Sequence, residues 1–157
     1  MARILIVDDH EVVRQGIRTI LRSRPQWDVV GEAVNGKDAI EKAIALDPDV
    51  IIMDITMPEL SGIEATREIT KRKLHSAVLV FTMHESKNLG DTVKDAGARG
   101  FVLKSHAARD LLDALEALLA GGTFFGDQPR SSSDQQAKDR NSSGGVTFRM
   151  SLGFGWA

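Results

Sequence analysis

Residues 50–54 read Val-Ile-Ile-Met-Asp: four apolar residues without a polar break, closed by a carboxylate. A strand with one wet face alternates apolar and polar residues. An unbroken short run is the pattern of a strand covered on both sides, as at the centre of a parallel sheet. Working outward, similar β-branched runs stand at Ile4–Val7, Asp28–Ala33, Ala77–Phe81 and Phe101–Leu103. Between them lie stretches of helical spacing. Val13, Ile17, Ile20 and Leu21 mark the first; Ala39, Ile40, Ala43 and Ile44 the second; Ile63, Thr66 and Ile69 the third. Leu111, Leu112, Leu115, Leu118 and Leu119 mark the last, while Ser86–Ala96 has only Leu89, Val93 and Ala96 on one face, the weakest pattern of the set. Asn35 stands ready to cap the second helix, Ser61-Gly-Ile-Glu64 has capping-box spacing for the third, and Ser105 is expected to cap the fifth. Five β-then-α units predict an α/β fold, a doubly wound five-stranded parallel sheet with helices on both faces.

The 157 residues suit one domain, and 42% hydrophobic with 27% charged residues is ordinary for a globular chain. A formal charge of −2 gives no polycationic signature for nucleic acid or lipid. Without Cys there is neither a disulfide frame nor a thiolate metal site. No apolar run approaches the ~18 residues of a membrane span, and MARILIVDD lacks the long apolar core of a secretory signal. A cytoplasmic protein with no membrane contact and no direct nucleic-acid binding is expected. Residues 1–126 carry the βα pattern. Residues 127–145 read as a flexible polar linker, since SSSDQQAKDRNSSGG (131–145) holds one apolar residue, Ala137. Residues 146–157 alternate Val146, Phe148, Met150, Leu152, Phe154 and Trp156 with small or polar residues, a strand pattern lacking a nearby partner.

In an open parallel sheet, chemistry gathers beyond the carboxyl ends of the strands. Those ends carry Asp8 and Asp9, Asp54, Thr82 and Lys104. Three carboxylates on one rim repel unless a cation sits among them. Oxygen-only ligands with no His or Cys favour a hard ion such as Mg²⁺, and a nearby Lys would bind an incoming anion. That equipment suits phosphoryl transfer to an aspartate. No GxxxxGK[ST] loop occurs, so the donor would be an already phosphorylated group rather than a nucleotide held here.

IVDDH (6–10), MDITMPELSG (53–62), VFTMHE (80–85) and GARGFVLKS (97–105) together closely resemble the receiver domain of bacterial response regulators, over residues 1–126. The resemblance implies a flavodoxin-like sheet in the order 2-1-3-4-5. It also implies phosphorylation of Asp54 by a phosphohistidine on a sensor histidine kinase. Asp9, Asp54 and the Thr56 carbonyl would hold Mg²⁺, with Asp8 acting mostly through water; Thr82 and Lys104 would hold phosphoryl oxygens. Phe101 would be the switch aromatic. Thr56, Met83 and His84 would modulate the phosphoryl lifetime or access to it, and a homodimer on phosphorylation is a further implication. TMHE and AGGTFF look like the LuxR/NarL-type subfamily, which usually carries a C-terminal helix-turn-helix. Only 31 residues follow Gly126, and none read as that unit. Ser105 stands where many receivers have Pro.

Each residue has a plainer explanation. Asp8 and Asp9 could be a strand-end turn and helix cap, Thr82 an ordinary strand residue, Lys104 a solvated lysine and Phe101 simple core. His10, His75 and His106 show no ligand spacing and read as surface residues. Arg67, Lys71, Arg72 and Lys73 suit the last turn of a helix, whose dipole favours cations. Two functional alternatives stand beside the switch. One is the receiver part of a DNA-binding transcription regulator. The weaker is a small aspartate-nucleophile phosphohydrolase, which would usually place a second acid where Thr56 stands.

Overall fold

The computed structural model describes residues 1–83, 86 and 88–125. His84, the linker 127–145 and the aromatic segment 146–157 lie outside the described residues. The chain alternates β1 (Ala2–Val7), α1 (Glu11–Leu21), β2 (Trp27–Ala33), α2 (Gly36–Leu46), β3 (Val50–Met53), α3 (Gly62–Lys71), β4 (Ala77–Thr82), α4 (Leu89–Asp95), β5 (Gly100–Leu103) and α5 (Ala107–Leu119). All pairings are parallel and the order is β2-β1-β3-β4-β5, as expected. Strand limits run slightly beyond the apolar runs, because Ala2 still pairs with Trp27 and Thr82 with Leu103.

The pleat divides the apolar residues into two cores. Leu5, Val7, Ile51 and Met53 face Ala39, Ala43, Ala65, Ile69 and Val93 from α2, α3 and α4. Ile4, Ile6, Val50 and Ile52 face Ile17, Leu21, Leu111 and Leu115 from α1 and α5. All four residues of β3 are buried, which is why its sequence cannot alternate. Burying a Leu or Ile side chain contributes roughly 1.5–3 kcal/mol, so the central strands dominate the stability of the sheet.

Helix starts follow the local signals in two of three cases. The Asn35 side chain accepts the Asp38 N–H at 2.7 Å, and Ser61 with Glu64 forms a complete capping box. Ser105 does not cap α5. A 3₁₀ turn over Lys104–His106 precedes that helix, its Ala107 N–H already donating to the Lys104 carbonyl, and the cap position falls to His106. The short α4 buries only Val93 among its own residues, in keeping with its weak periodicity. All described peptide bonds are trans.

Candidate functional site

Strand register assembles the rim. Val7 lies opposite Met53, so the next residues of β1 and β3, Asp8 and Asp54, emerge side by side. Met53 lies opposite Val80, two residues before Thr82, which itself pairs with Leu103, the residue before Lys104. Backbone bonds extend the ladder: Asp54 N–H donates to the Val7 carbonyl and Asp8 N–H to the Ala33 carbonyl, both at 3.0 Å. The loop after Asp54 is tied down at both ends. Gly62 N–H donates to the Ile55 carbonyl and Gly36 N–H to the Leu60 carbonyl. A Cβ on Gly62 would fall 1.8 Å from the Asp54 carbonyl oxygen, so only glycine lets α3 start against that residue.

Asp8 and Asp54 are 1% and 4% exposed, unusual for carboxylates, whereas Asp9 is exposed. Lys104 reaches both buried acids, its Nζ 2.6 Å from Asp8 Oδ2 and 3.4 Å from Asp54 Oδ1. One ammonium thus faces two buried carboxylates with a third beside them. Burial pushes the Asp54 carboxyl above the ordinary carboxylate range and the Asp8 charge pushes it further; Lys104 and the Ile55 N–H oppose both. Ligand atoms of Asp8, Asp9, His10 and Asp54 lie within 4.8 Å of one another. The donor set, rich in carboxylate oxygen, fits a hard divalent cation such as Mg²⁺, which would also balance the excess negative charge. Asp8, Asp9 and Asp54 are the side chains able to hold it.

The remaining expected residues take distinct places. Thr82 is buried at the end of β4, Thr56 is exposed on the β3–α3 loop, and Met83 is exposed directly after Thr82. Phe101 is buried in the core that faces α4, and its N–H donates to the Phe124 carbonyl at 2.8 Å. His84 lies outside the described residues.

His10, expected as a surface residue, is exposed, but its place at this rim was missed in the sequence: its Nδ1 lies 3.0 Å from Asp8 Oδ1 and 3.0 Å from Asp9 Oδ1. Its adjacency to the Asp pair was the only available signal. His75 sits at the opposite end of the sheet, between Asp47 (2.7 Å) and Asp49 (3.1 Å). The Asp49 and Asp47 bonds raise the His75 imidazole, and Asp49 is held below the usual carboxylate range by the Arg3 N–H first and by His75. Asp49 and His75 also line a cleft of ≈ 550 Å³, far from the acidic rim.

Known proteins are similar to this chain in sequence and in fold. The chain is 37% identical over 123 residues to the transcriptional regulatory protein DegU of Brevibacillus brevis, covering 78% of this chain and 52% of that protein. It is 38% identical over 120 residues to the nitrate/nitrite response regulator protein NarL of Escherichia coli, covering 76% and 56%. The chain therefore spans little more than half the length of these relatives. Among solved structures, a LuxR-family two-component response regulator from Aurantimonas sp. SI85-9A1 superimposes with a TM-score of 0.76 at 37% identity, over 89% of this chain and 98% of that one. The isolated REC domain of RcsB from Salmonella enterica, with the phosphomimetic BeF₃⁻, gives 0.74 at 33% identity, over 85% and 96%. The response regulator receiver domain profile matches residues 4–116. With sheet order, motif order and sequence in agreement, the chain belongs to the response regulator receiver family, and its relatives are of the LuxR/NarL type.

Proposed function

We propose that this chain is a phosphorylation switch of two-component signalling, with Asp54 as the acceptor and a sensor histidine kinase as the donor. The observation that carries the reading is Lys104 reaching two buried carboxylates, Asp8 and Asp54, at the carboxyl end of a parallel sheet.

The reaction is a displacement at phosphorus. A carboxylate oxygen of Asp54 forms the new O–P bond while the P–N bond of the kinase phosphohistidine breaks; the bonding pair leaves with the imidazole, which takes up a proton. Lys104 exchanges its carboxylate contacts for the incoming phosphoryl oxygens, acting as a point charge. The Thr82 hydroxyl donates to one of those oxygens, and the buried Phe101 repacks in response. Asp8, Asp9, Asp54 and the Thr56 carbonyl would hold Mg²⁺. Bound there, the ion supplies neutralisation of charge on the phosphoryl oxygens. Hydrolysis of the acyl phosphate by water releases inorganic phosphate and restores Asp54. Phosphorylation adds roughly −1.5 to −2 charge. A shift from 1:99 to 99:1 needs about 5.5 kcal/mol, more than the ~1.5–3 of one charged hydrogen bond, so repacking or homodimerisation shares the task. Thr56 and His84 tune the phosphoryl lifetime, and Met83 narrows access to the phosphoryl site. The kinase encounter implies a cytoplasmic setting; no helix among the described residues is long and apolar enough to cross a membrane.

Acetyl phosphate with and without Mg²⁺, read by intact mass beside Asp54→Asn, tests the reading. One phosphoryl group gained only by wild type and only with Mg²⁺ is expected. Equal uptake by Asp54→Asn refutes the acceptor assignment.

A second reading makes the same domain the receiver part of a DNA-binding transcription regulator. Its support is the share of the relatives covered, 52% of DegU and 56% of NarL. An open reading frame that continues past Ala157 into a helix-turn-helix sequence is the expected observation.

A further inference from the structure

β5 (Gly100–Leu103) is the last strand of the sheet, yet its outer edge is not bare. The chain leaves α5 through Gly121, at φ +89°, whose N–H donates to the Leu118 carbonyl at 3.0 Å, while the Gly122 N–H donates to the Ala117 carbonyl at 2.9 Å. The Arg99 guanidinium holds the carbonyls of both glycines. The turn so fixed returns Thr123–Phe125 along β5. Phe124 N–H donates to the Arg99 carbonyl at 3.0 Å and Phe101 N–H to the Phe124 carbonyl at 2.8 Å, a parallel bridge opposite Gly100. A Cβ on Gly100 would fall 2.9 Å from that Phe124 carbonyl oxygen, so glycine there lets the segment come close. Side chains alternate as in a strand: Phe124 packs on the core shared with α1 and α5, Phe125 on the core facing α4. Lys94 of α4 stands over the Phe125 ring, 4.5 Å from its centroid.

Phe101 takes part in this contact twice. Its amide is bonded to Phe124, and its ring lies in the core against which Phe125 packs. We propose that Thr123–Phe125 is a clasp on the β5 edge that opposes repacking of Phe101, so that phosphorylation of Asp54 loosens it and passes the state of the switch to the segment by which the chain leaves the receiver. The inference rests on the reading that Phe101 answers phosphorylation of Asp54. A rearranged Phe101 disturbs contacts made to it as it stands: the bond from its amide and the seat of the Phe125 ring beside Lys94. Coupling of this kind is reciprocal, so whatever loosens the clasp favours the phosphorylated arrangement.

Hydrogen exchange of the full chain in Mg²⁺, read amide by amide with and without saturating BeF₃⁻, tests this. In wild type the Phe101 and Phe124 amides should exchange at least about fivefold faster with BeF₃⁻, the lower end of typical coupling between sites. The Ile51 and Ile52 amides of β3 should not change, and in Asp54→Asn neither pair should respond. Reciprocally, Phe124→Pro, which lacks the N–H donated to Arg99, and Phe125→Ala should each bind BeF₃⁻ more tightly than wild type, by at least about fivefold. Clasp amides that keep their rate or slow with BeF₃⁻ bound overturn the proposal. So does unchanged or weakened BeF₃⁻ binding in either variant with β3 exchange as in wild type. Wild type that does not bind BeF₃⁻ refutes the reading of Asp54 and the proposal with it; binding without a response at Phe101 and Phe124 refutes the clasp alone.

Discussion

Lys104 and Asp8 stand 96 residues apart in the chain, yet their side chains meet at 2.6 Å, both almost wholly out of solvent. The lysine spends its charge on Asp8 first and on Asp54 second, at 3.4 Å. The rim is consequently short of positive charge before any phosphoryl group arrives. That imbalance yields two predictions.

Lys104→Met should destabilise the metal-free protein by about 3 kcal/mol, since it leaves buried carboxylates without a partner. Adding Mg²⁺ should recover part of the loss. Urea unfolding in chelator and in excess Mg²⁺ checks both statements; an unchanged midpoint in chelator would mean that solvent already screens the pair.

Asp54→Asn should act in the opposite direction. It removes one of two adjoining buried negative charges at nearly constant volume, so the chelated variant should be more stable than wild type. The gain should be on the order of 1–2 kcal/mol, the scale of a close like-charge contact partly offset by Lys104. Mg²⁺ should stabilise wild type more than the variant and narrow the gap. A variant less stable than wild type in chelator contradicts this account.

Gly62→Ala tests the seat of the loop after Asp54. The new methyl would fall 1.8 Å from the Asp54 carbonyl oxygen, a backbone atom that cannot swing aside. A loss of about 3 kcal/mol is expected, with slower phosphoryl uptake because the displaced segment carries Asp54 and Thr56. Thermal unfolding and the acetyl phosphate reaction measure the two effects separately.

The His75 bridge to Asp47 and Asp49 predicts a pH dependence remote from the rim. The folded imidazole is raised above 6.5, so its contribution is complete below that value and disappears as pH rises through the folded pKa. Asp49 is lowered from 3.8, so its share is present above that value and disappears as pH falls through the folded pKa. The bridge therefore stabilises between these limits. These groups are about half exposed, and screening holds the effect to ~0.2–1 kcal/mol. His75→Ala should be less stable than wild type at about pH 6 and equal to it above the folded imidazole pKa. Urea midpoints across that range decide the matter; a constant difference would rule out the ionic bridge.

Element type and the residues that end each strand were legible in the chain because each leaves a local trace; the strand order was available only through the family resemblance, since no local pattern records which strands pair. An unbroken apolar run marks β3, and the residue ending each run marks the rim. Asn35 and Ser61 announce their helices through bonds that close within three residues. Ser105 misled because a 3₁₀ turn intervened, a choice made by how β5 hands the chain to α5 rather than by the serine.

What the sequence alone determined was the α/β architecture and that Asp8, Asp9, Asp54, Thr82 and Lys104 follow or close the carboxyl ends of the strands. Tertiary structure decided their partnerships: Lys104 against Asp8 before Asp54, His10 folded back over two carboxylates, and Gly62 pressed on the Asp54 carbonyl. The physical reason is range. Burial periodicity and capping operate over a few residues, whereas these side-chain distances are set by strand register and loop closure between segments far apart in the chain.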